Sequence, residues 1–351
     1  MPINHEFYMQ RCLQLAQNGA GWVAPNPMVG AVLVFQDQII GEGYHAHYGE
    51  PHAEVNCINS VSESNKAKIQ EATLYVSLEP CVHFGKTPPC TNLIIAEKIK
   101  KVVIGCLDPF AEVNGKGAVK LKGAGVEVIG PVLEKEAIEI NKRFFHFHLK
   151  KRPYIILKWA QTADELIGVQ NKAIKISNDY IQRLVHTWRS EEAAILVGTQ
   201  TAITDNPQLN NRFSSGPSPL RMVVDRTLQL NPISHLLNDQ QPTWVFNTNK
   251  NETKGAVRYV QLREQQSLIE SILQYSYDQQ VQSILVEGGA KLLQSFISQG
   301  LWDEARVISS SHKIGNKKEK GVQAPQLLNA QLTNTEKVGT DIIHYYSRMQ
   351  S

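Results

Sequence analysis

The sequence predicts an α/β protein built from two domains. Its 351 residues, of which 42% are hydrophobic and 20% charged, are enough to bury two separate hydrophobic cores. Short apolar segments typical of buried strands alternate with segments of helical periodicity along both halves. The composition changes near residues 145–153, which we interpret as the connection between domains at 1–148 and 149–351. Strands alternating with helices indicate a three-layer arrangement in the first domain.

The first half begins with a helix over residues 5–18, where Met9, Cys12, Leu13 and Ala16 recur at helical spacing. The strands that follow are bounded by turn residues or by the starts of helices. They are predicted at 29–35, 39–40, 73–78, 101–105 and 126–129. Helices are expected to start at His52 and at Cys90.

The second half repeats the alternation without any internal sequence repeat linking it to the first. Its predicted helix covers residues 179–190. Its predicted strands are apolar runs at 154–160, 193–197, 220–224, 243–246 and 283–286.

Composition also argues against several classes of partner. The formal net charge is only +3, and lysine and arginine are spread along the chain, so we expect no nucleic-acid partner. No apolar stretch reaches the length of a membrane span, and the first residues lack a secretory signal, so we expect no membrane partner. Five cysteines, an odd number, fit a reducing cytoplasm. We expect a homo-oligomer, a dimer or a tetramer.

Three short segments of the first half supply ligands for zinc. His52, Cys81 and Cys90 offer one imidazole and two thiolates, which leaves a fourth position for water. Zinc lowers the pKa of such a water from about 15.7 towards about 7, so a nucleophile exists at neutral pH. Glu54 lies two residues after His52, where it can carry protons. An H-x-E segment followed by P-C-x-x-C is the signature of zinc nucleobase deaminases, although here the cysteines are further apart.

The alternative is that these cysteines are ordinary buried side chains. Cys12, Cys57 and Cys106 fit that description, since each lies in an apolar run without nearby ligand types. Cys81 and Cys90 each follow a proline in a predicted loop, which favours a ligand role. A purely structural zinc site would have four protein ligands, and we find three.

A second set of residues indicates a phosphate-binding site in the C-terminal half. The strand at 283–286 leads into Glu287, the pair Gly288-Gly289 and a predicted helix, whose backbone N–H groups can bind an anion. Arg189 and Arg212 flank the polar segment 197–207, and arginines suit a phosphorylated substrate and cofactor. The alternative is a capped helix with solvated arginines.

Taken together, these motifs resemble the bifunctional deaminase/reductase family of riboflavin biosynthesis over essentially the whole chain. The resemblance is carried by segments of both halves: Pro25-Asn26-Pro27-Met28-Val29-Gly30, Gly43-Tyr44-His45, His52-Ala53-Glu54, Glu79-Pro80-Cys81, Gly85-Lys86-Thr87-Pro88-Pro89-Cys90-Thr91, Lys158, Ala160, Arg189, 198–207, Leu209, Arg212 and Glu287-Gly288-Gly289. The long spacing between Cys81 and Cys90 is typical of this family and not of cytidine deaminases.

The resemblance implies a cytidine-deaminase-like N-terminal domain and a dihydrofolate-reductase-like C-terminal domain. It implies two successive reactions on a phosphorylated pyrimidine: zinc-dependent hydrolytic loss of a ring amine, and NADPH-dependent reduction of the ribosyl group to a ribityl chain. In the first domain it implies zinc ligation by His52, Cys81 and Cys90, proton transfer by Glu54, and substrate binding by Asn26, His45 and Lys86.

In the second domain the resemblance implies two groups of binding residues. Substrate would be held by Arg189, Leu209, Arg212 and Glu287. NADPH would be lined by Ala160, Thr201, Asp205, Gly289, Ala290, Lys291, Leu292, Leu293, Gln294 and Ser295. We expect Asp205 or Glu287 to be the polar group nearest the sugar, and no catalytic pair, because hydride transfer is the chemistry of the cofactor.

The chain departs from the family pattern at three positions. Phe110 replaces an asparagine after Asp108-Pro109, and Lys175 replaces a tryptophan that would offer a stacking surface. Glu165 stands where the family has a glycine, so we expect a different turn there, because glutamate does not favour a positive φ.

Other functions predict other features. A nucleoside or tRNA-base deaminase with a C-terminal binding module would lack the 85–91 segment and would show a basic aromatic surface. A zinc-stabilised binding protein without activity would have four zinc ligands. A third alternative is a protein whose reductase half has decayed at Glu165 and Lys175.

Overall fold

The structure, a computed structural model, describes residues 4–86, 88–110, 113–262, 267–314 and 320–349. The chain divides into two compact units, Met1–Lys151 and Arg152–Ser351, so the division lies three residues after the expected one. Within the described ranges, no helix combines the length and the apolar character needed to cross a bilayer.

The first unit is built on a five-stranded sheet with the order β2-β1-β3-β4-β5. Its strands are β1 (Gly30–Phe35), β2 (Gln38–Tyr44), β3 (Thr73–Leu78), β4 (Lys101–Cys106) and β5 (Glu127–Ile129). β1 is antiparallel to both β2 and β3, whereas β3, β4 and β5 run parallel. The carboxyl ends of β3, β4 and β5 therefore lie at one edge.

Helices cover both faces of this sheet, as the three-layer prediction requires. They are α1 (His5–Ala16), α2 (Ala53–Asn59), α3 (Cys90–Ala96), α4 (Lys116–Gly123), α5 (Glu134–Ile140) and α6 (Lys142–Lys150). Val32 and Val34 of β1 pack against α1, while Ala31 and Leu33 face the core formed with α2, α3 and α4. Alternate strand residues thus bury opposite faces, which confirms the predicted layers.

Two glycines allow helices to lie directly on the strands. A Cβ added to Gly30 would lie 2.0 Å from the carbonyl oxygen of Cys12 on α1, and one added to Gly43 would lie 2.2 Å from the backbone nitrogen of Cys57 on α2. Both positions therefore require glycine, because a larger residue would displace the helix. At Gly43 this contact sets the position of α2, the helix that begins beside His52.

The second unit contains a ten-stranded sheet with the order β11-β12-β10-β9-β8-β13-β6-β14-β17-β16, and a separate pair, β15 with β7. The strands are β6 (Tyr154–Gln161), β7 (Leu166–Val169), β8 (Ala194–Gly198), β9 (Leu220–Val224), β10 (Thr243–Asn247), β11 (Glu252–Lys254), β12 (Val257–Gln261), β13 (Ser283–Val286), β14 (Glu304–Ser309), β15 (Gly321–Gln323), β16 (Ala330–Val338) and β17 (Asp341–Arg348). The central strands β9, β8, β13, β6 and β14 run parallel.

Helices cover both faces of the large sheet. They are α7 (Asp179–Glu191), α8 (Thr199–Asp205), α9 (Leu268–Asp278) and α10 (Ala290–Ser298). Ile156 of β6 packs with α7, whereas Ile155 and Leu157 pack in the core shared with α9 and α10. A mostly parallel sheet between helices confirms the α/β class predicted for this half.

The predicted connection at residues 145–153 contains the division between Lys151 and Arg152, but α6 occupies its first part, up to Lys150. Phe144, Phe145 and Phe147 are buried on this helix, so the aromatic run is part of the core of the first unit.

The expectation that glutamate avoids a positive φ at position 165 is wrong. Glu165 adopts φ of 57°, and its backbone N–H donates to the carbonyl oxygen of Thr162 at 2.9 Å. The Thr162 hydroxyl in turn donates to Asp164 at 2.6 Å. The turn between β6 and β7 therefore holds glutamate in a left-handed conformation that favours glycine.

We predict that Glu165→Gly stabilises the protein by about 1 kcal/mol, because glycine adopts this conformation without the steric cost of a Cβ. The measurement is the urea midpoint of the transition that unfolds the second unit. Glu165→Ala is the matched control, since it removes the carboxylate and keeps the Cβ. Equal stabilisation by both variants would contradict the backbone explanation.

Candidate active sites

Three possible metal ligands of the first unit stand where helices begin and a strand ends. His52 is the residue before α2, and Cys90 is the first residue of α3. Cys81 follows the carboxyl end of β3 by three residues. A ligand-bearing crevice outside the carboxyl ends of parallel strands is usual for open α/β sheets.

The ligand atoms of these three residues converge. Nδ1 of His52 lies 3.6 Å from Sγ of Cys81 and 3.4 Å from Sγ of Cys90, and all three atoms lie within 4.8 Å of one another. Tetrahedral zinc with Zn–S of about 2.3 Å and Zn–N of about 2.0 Å separates nitrogen from sulfur by about 3.5 Å. The residues present therefore fit a zinc ion bound by two sulfurs and one imidazole.

The electrostatics of the cluster favour a thiolate at Cys81. Hydrogen bonds from Cys90 and from His52 hold the pKa of Cys81 at about 4, against the opposing effect of burial. The hydrogen bond with Cys81 also raises the pKa of His52. A lowered thiol pKa is characteristic of cysteines that bind metals.

Glu54 lies in the first turn of α2, and its side chain is buried beside the cluster, with only 3% of the residue exposed. Burial raises the pKa of its carboxyl group, and the nearby Cys81 raises it further. The same carboxyl group is hydrogen-bonded with Cys90. A buried carboxyl group whose pKa is raised holds a proton more readily, which suits a group that accepts a proton and later donates it.

Asn26 and His45 extend the site from the metal ligands. The side-chain nitrogen of Asn26 lies 3.1 Å from Nε2 of His45. The ring centroids of His45 and His52 are 5.2 Å apart. Burial lowers the pKa of His45, so it stays neutral at pH 7. Lys86 instead lies over the ring of Tyr48, 3.9 Å from its centroid. Thr87 of the same motif is outside the described residues.

The second candidate site lies at the carboxyl edge of the large sheet. The parallel strands β8, β13 and β6 are neighbours; Thr199 follows β8, Glu287 follows β13, and Ala160 is the next-to-last residue of β6. Sequence segments far apart in the chain are therefore brought to one edge. This is where α/β sheets bind their ligands.

Glu287 is the centre of a buried ion-pair cluster. Nε and Nη2 of Arg189 each donate to one of its carboxylate oxygens at 2.8 Å, and Nζ of Lys158 lies 3.5 Å away. Burial alone would raise the pKa of Glu287, but Arg189 and Lys158 outweigh it and hold the value at about 2. Lys158 was not predicted as a site residue. The sequence feature that could have indicated it is a lysine inside an apolar strand.

The loop after α8 carries two residues predicted to bind substrate. Leu209 is buried with φ of 52°, and the next residue, Asn210, accepts hydrogen bonds from Arg189 at 3.3 Å and from Arg212 at 2.8 Å. Both predicted arginines therefore contact Asn210. Backbone strain of this kind concentrates at functional sites. Asp205, the last residue of α8, is exposed as a whole, although desolvation of its carboxyl group raises its pKa.

The residues predicted to line NADPH are arranged around a glycine turn. Gly288 and Gly289 have φ of 150° and 77°, and a Cβ on either would lie 3.3 Å from the side chain of Thr201. The turn leads into the first residue of α10, Ala290. A small-residue cradle at a helix start fits a cofactor phosphate.

The rest of the predicted NADPH segment is divided between core and surface. Leu292 and Leu293 are buried in the core, whereas Lys291 is exposed. Gln294 accepts a hydrogen bond from the backbone of Gln326 at 2.9 Å, and Ser295 donates to the carbonyl oxygen of Lys291. Only part of this helix therefore offers side chains to a ligand.

The three departures from the family pattern have structural outcomes. Phe110 packs beside the rings of His83 and His148, so an apolar contact replaces an amide. Lys175 forms an exposed ion pair with Asp179, in the first turn of α7. Glu165 is in the turn described above.

Comparisons with known proteins cover both units. The family described as the cytidine and deoxycytidylate deaminase zinc-binding region matches residues 2–106, and the RibD C-terminal domain family matches residues 153–344. Riboflavin biosynthesis protein RibD of Aquifex aeolicus is 36% identical over 97% of this chain and 98% of its own length. The Escherichia coli protein of the same name is 33% identical, with 89% of each chain covered.

Two solved structures are similar to this chain over nearly its whole length. A diaminohydroxyphosphoribosylaminopyrimidine deaminase/5-amino-6-(5-phosphoribosylamino)uracil reductase from Thermotoga maritima has a TM-score of 0.88, 35% identity and 98% coverage of both chains. RibD of Acinetobacter baumannii has a TM-score of 0.88, 31% identity and 99% coverage of both chains.

We predict that Cys81→Ala and Cys90→Ala each abolish stoichiometric zinc binding, because two ligands cannot replace the three-ligand set. The measurement is the metal content of purified protein after dialysis against a weak chelator. Cys57→Ala, which changes another buried cysteine of the same unit, should keep its zinc. Full zinc content in either ligand variant would contradict the assignment.

We predict a pH dependence from Glu287. Its pKa is lowered from 4.5 to about 2, so the stabilisation is present above pH 4.5 and is lost as pH falls through 2. A shift of this size corresponds to about 3 kcal/mol. In Glu287→Gln, the free energy of unfolding should vary less with pH across this window. Glu252→Gln, at an exposed ion pair, is the control and should keep the wild-type slope.

Proposed function

Because this chain belongs to the RibD family of riboflavin biosynthesis proteins, we propose that it carries out both reactions of that family on one phosphorylated substrate series. The N-terminal unit would remove the ring amine of a diaminohydroxyphosphoribosylaminopyrimidine as ammonia. The C-terminal unit would then reduce the ribosyl group of the product, a phosphoribosylaminouracil, with NADPH. In this proposal the first unit is the deaminase and the second unit is the reductase.

The observation that carries the deaminase assignment is the convergence of His52, Cys81 and Cys90 beside a buried Glu54. Zinc bound by these ligands supplies a Lewis acid and lowers the pKa of water towards about 7. Glu54 accepts a proton from the attacking water and delivers it to the leaving nitrogen, so that neutral ammonia departs. The ring gains a carbonyl oxygen in place of its amine.

Asn26 and His45 orient the pyrimidine in this proposal. Their contact at 3.1 Å fixes both side chains next to His52, where an amide and a neutral imidazole can hydrogen-bond with ring atoms. Lys86 neutralises phosphate, as an exposed amine on a loop can reach an anion that remains partly solvated.

In the reductase site NADPH supplies the hydride. Lys158, Arg189 and Glu287 form the polar cluster nearest the carboxyl edge and hold the sugar hydroxyl groups. Arg212 binds the substrate phosphate, and Thr201 with the glycine turn at Gly288 and Gly289 holds the cofactor. Asp205 lies at the end of the helix that carries Thr201 and contributes a further polar group to the cofactor site.

Two further expectations belong to this proposal. All five cysteines are free, which supports a reducing compartment, the cytoplasm. Assembly into a dimer or tetramer stays a prediction. A zinc nucleobase deaminase with a non-reducing C-terminal module is not favoured, because the RibD C-terminal domain match spans residues 153–344.

Glu54→Gln tests the proposal. The variant should retain zinc, because Glu54 is not a ligand, and should release ammonia about 100- to 10,000-fold more slowly than the wild type, because it cannot transfer protons. NADPH oxidation with the deaminated intermediate should persist at the wild-type rate. The measurements are metal content, ammonia release and loss of absorbance from NADPH.

Glu50→Gln is the matched control, since Glu50 is an exposed carboxylate paired with His47 a few residues before α2. It should leave both reactions unchanged. Unaltered ammonia release in Glu54→Gln would remove Glu54 from the mechanism. A wild-type protein that does not oxidise NADPH with the intermediate would refute the reductase half.

A further inference from the structure

We propose that Glu79 is a positioning residue of the metal centre, which fixes the segment carrying Cys81 against the start of α4. Glu79 follows β3 directly and precedes Pro80 and Cys81. Glu79 is neither one of the proposed metal ligands nor the proposed proton carrier. The inference rests on the proposed metal role of Cys81.

The carboxylate of Glu79 is buried and accepts hydrogen bonds from the backbone. Its Oε2 accepts from the N–H groups of Asp108 at 3.3 Å and Gly115 at 2.8 Å, and its Oε1 accepts from the N–H of Ala118 at 3.0 Å. The residue is only 3% exposed. One side chain therefore joins the end of β3 to Asp108, two residues after β4, and to the first turn of α4.

The packing around this carboxylate leaves no space for movement. A Cβ added to Gly117 would lie 2.3 Å from the carbonyl oxygen of Pro80 and 3.0 Å from Oε1 of Glu79. The backbone of α4 therefore lies directly on the peptide between Pro80 and Cys81. The backbone N–H of Glu79 also donates to the carbonyl oxygen of Cys106 at 3.0 Å, which ties the end of β3 to β4.

Cys81 is held from the opposite side by α3. Its carbonyl oxygen accepts from the backbone N–H of Thr91 at 3.2 Å and from the Thr91 hydroxyl at 3.1 Å. The N–H of Cys90 donates to the Cys81 sulfur at 3.3 Å. With Thr91 fixing its carbonyl and Glu79 fixing the preceding peptide, Cys81 has little freedom, so its sulfur is preorganised towards His52.

The chemistry of Glu79 suits this role better than an amide would. Three N–H donors point at its two oxygens, and only a carboxylate offers acceptors on both. In Glu79→Gln the amide nitrogen would face a backbone donor, so at least one hydrogen bond would be replaced by a repulsive contact. Residues that orient metal ligands typically change metal affinity by 10- to 100-fold when they are replaced.

The experiment compares wild type, Glu79→Gln and Gly117→Ala by zinc competition with a chromogenic chelator and by the visible spectrum after substitution with Co²⁺. We expect Glu79→Gln to weaken zinc binding about 10- to 100-fold and to shift the thiolate-to-cobalt charge-transfer band. Gly117→Ala keeps the carboxylate itself but places a Cβ against Pro80 and Oε1 of Glu79, so α4 must move and the band should shift as well. Glu127→Gln, at an exposed ion pair with Lys101, is the control and should match wild type.

These readouts separate positioning from general stability. A merely structural residue would lower the unfolding midpoint while zinc affinity and the cobalt spectrum at low temperature stayed unchanged, and that result in folded Glu79→Gln would overturn the proposal. Should Glu79→Gln not fold, an unshifted cobalt band in folded Gly117→Ala would overturn it equally. If wild type itself bound no zinc, the proposed function would fail instead.

Discussion

Parallel strands end at the same edge of a sheet, and both candidate sites of this protein depend on that constraint. In the first unit the edge after β3 and β4 receives Cys81 and Glu79, and the helix starts beside it supply His52 and Cys90. In the second unit neighbouring parallel strands bring Lys158 and Glu287 within ion-pair distance. Lys158 and Glu287 are more than a hundred positions apart in the sequence, and the pairing of their strands brings them together.

The two sites solve different electrostatic problems with this shared layout. The proposed metal centre needs anionic ligands, and helix starts favour negative charge, so a cysteine at the first position of α3 is well placed. The proposed reductase site would bind phosphorylated molecules, and it combines arginines with a glycine turn at the start of α10. In both cases local backbone dipoles act together with the side chains.

Sequence patterns predicted the α/β class, most strands and the residues of the metal cluster, because buried strands and zinc ligands leave local signals. The hairpin of β16 and β17 was not predicted, since most residues of β16 are exposed and show no apolar alternation. The helix α6 was not predicted, because its phenylalanines and histidines were interpreted as part of the connection between domains. The positive φ of Glu165 was not predicted, because neighbouring hydrogen bonds hold the turn although glutamate is unfavourable in it. The position of Glu79 depends on tertiary contacts that no local pattern records.

The ion-pair cluster of the second unit has a consequence for solution chemistry. Two basic side chains, Lys158 and Arg189, face the single carboxylate of Glu287, so the cluster has an excess of positive charge that no carboxylate within it cancels. Because these side chains are buried, dissolved salt will screen their attraction less than it screens an exposed pair such as Lys250 with Glu252.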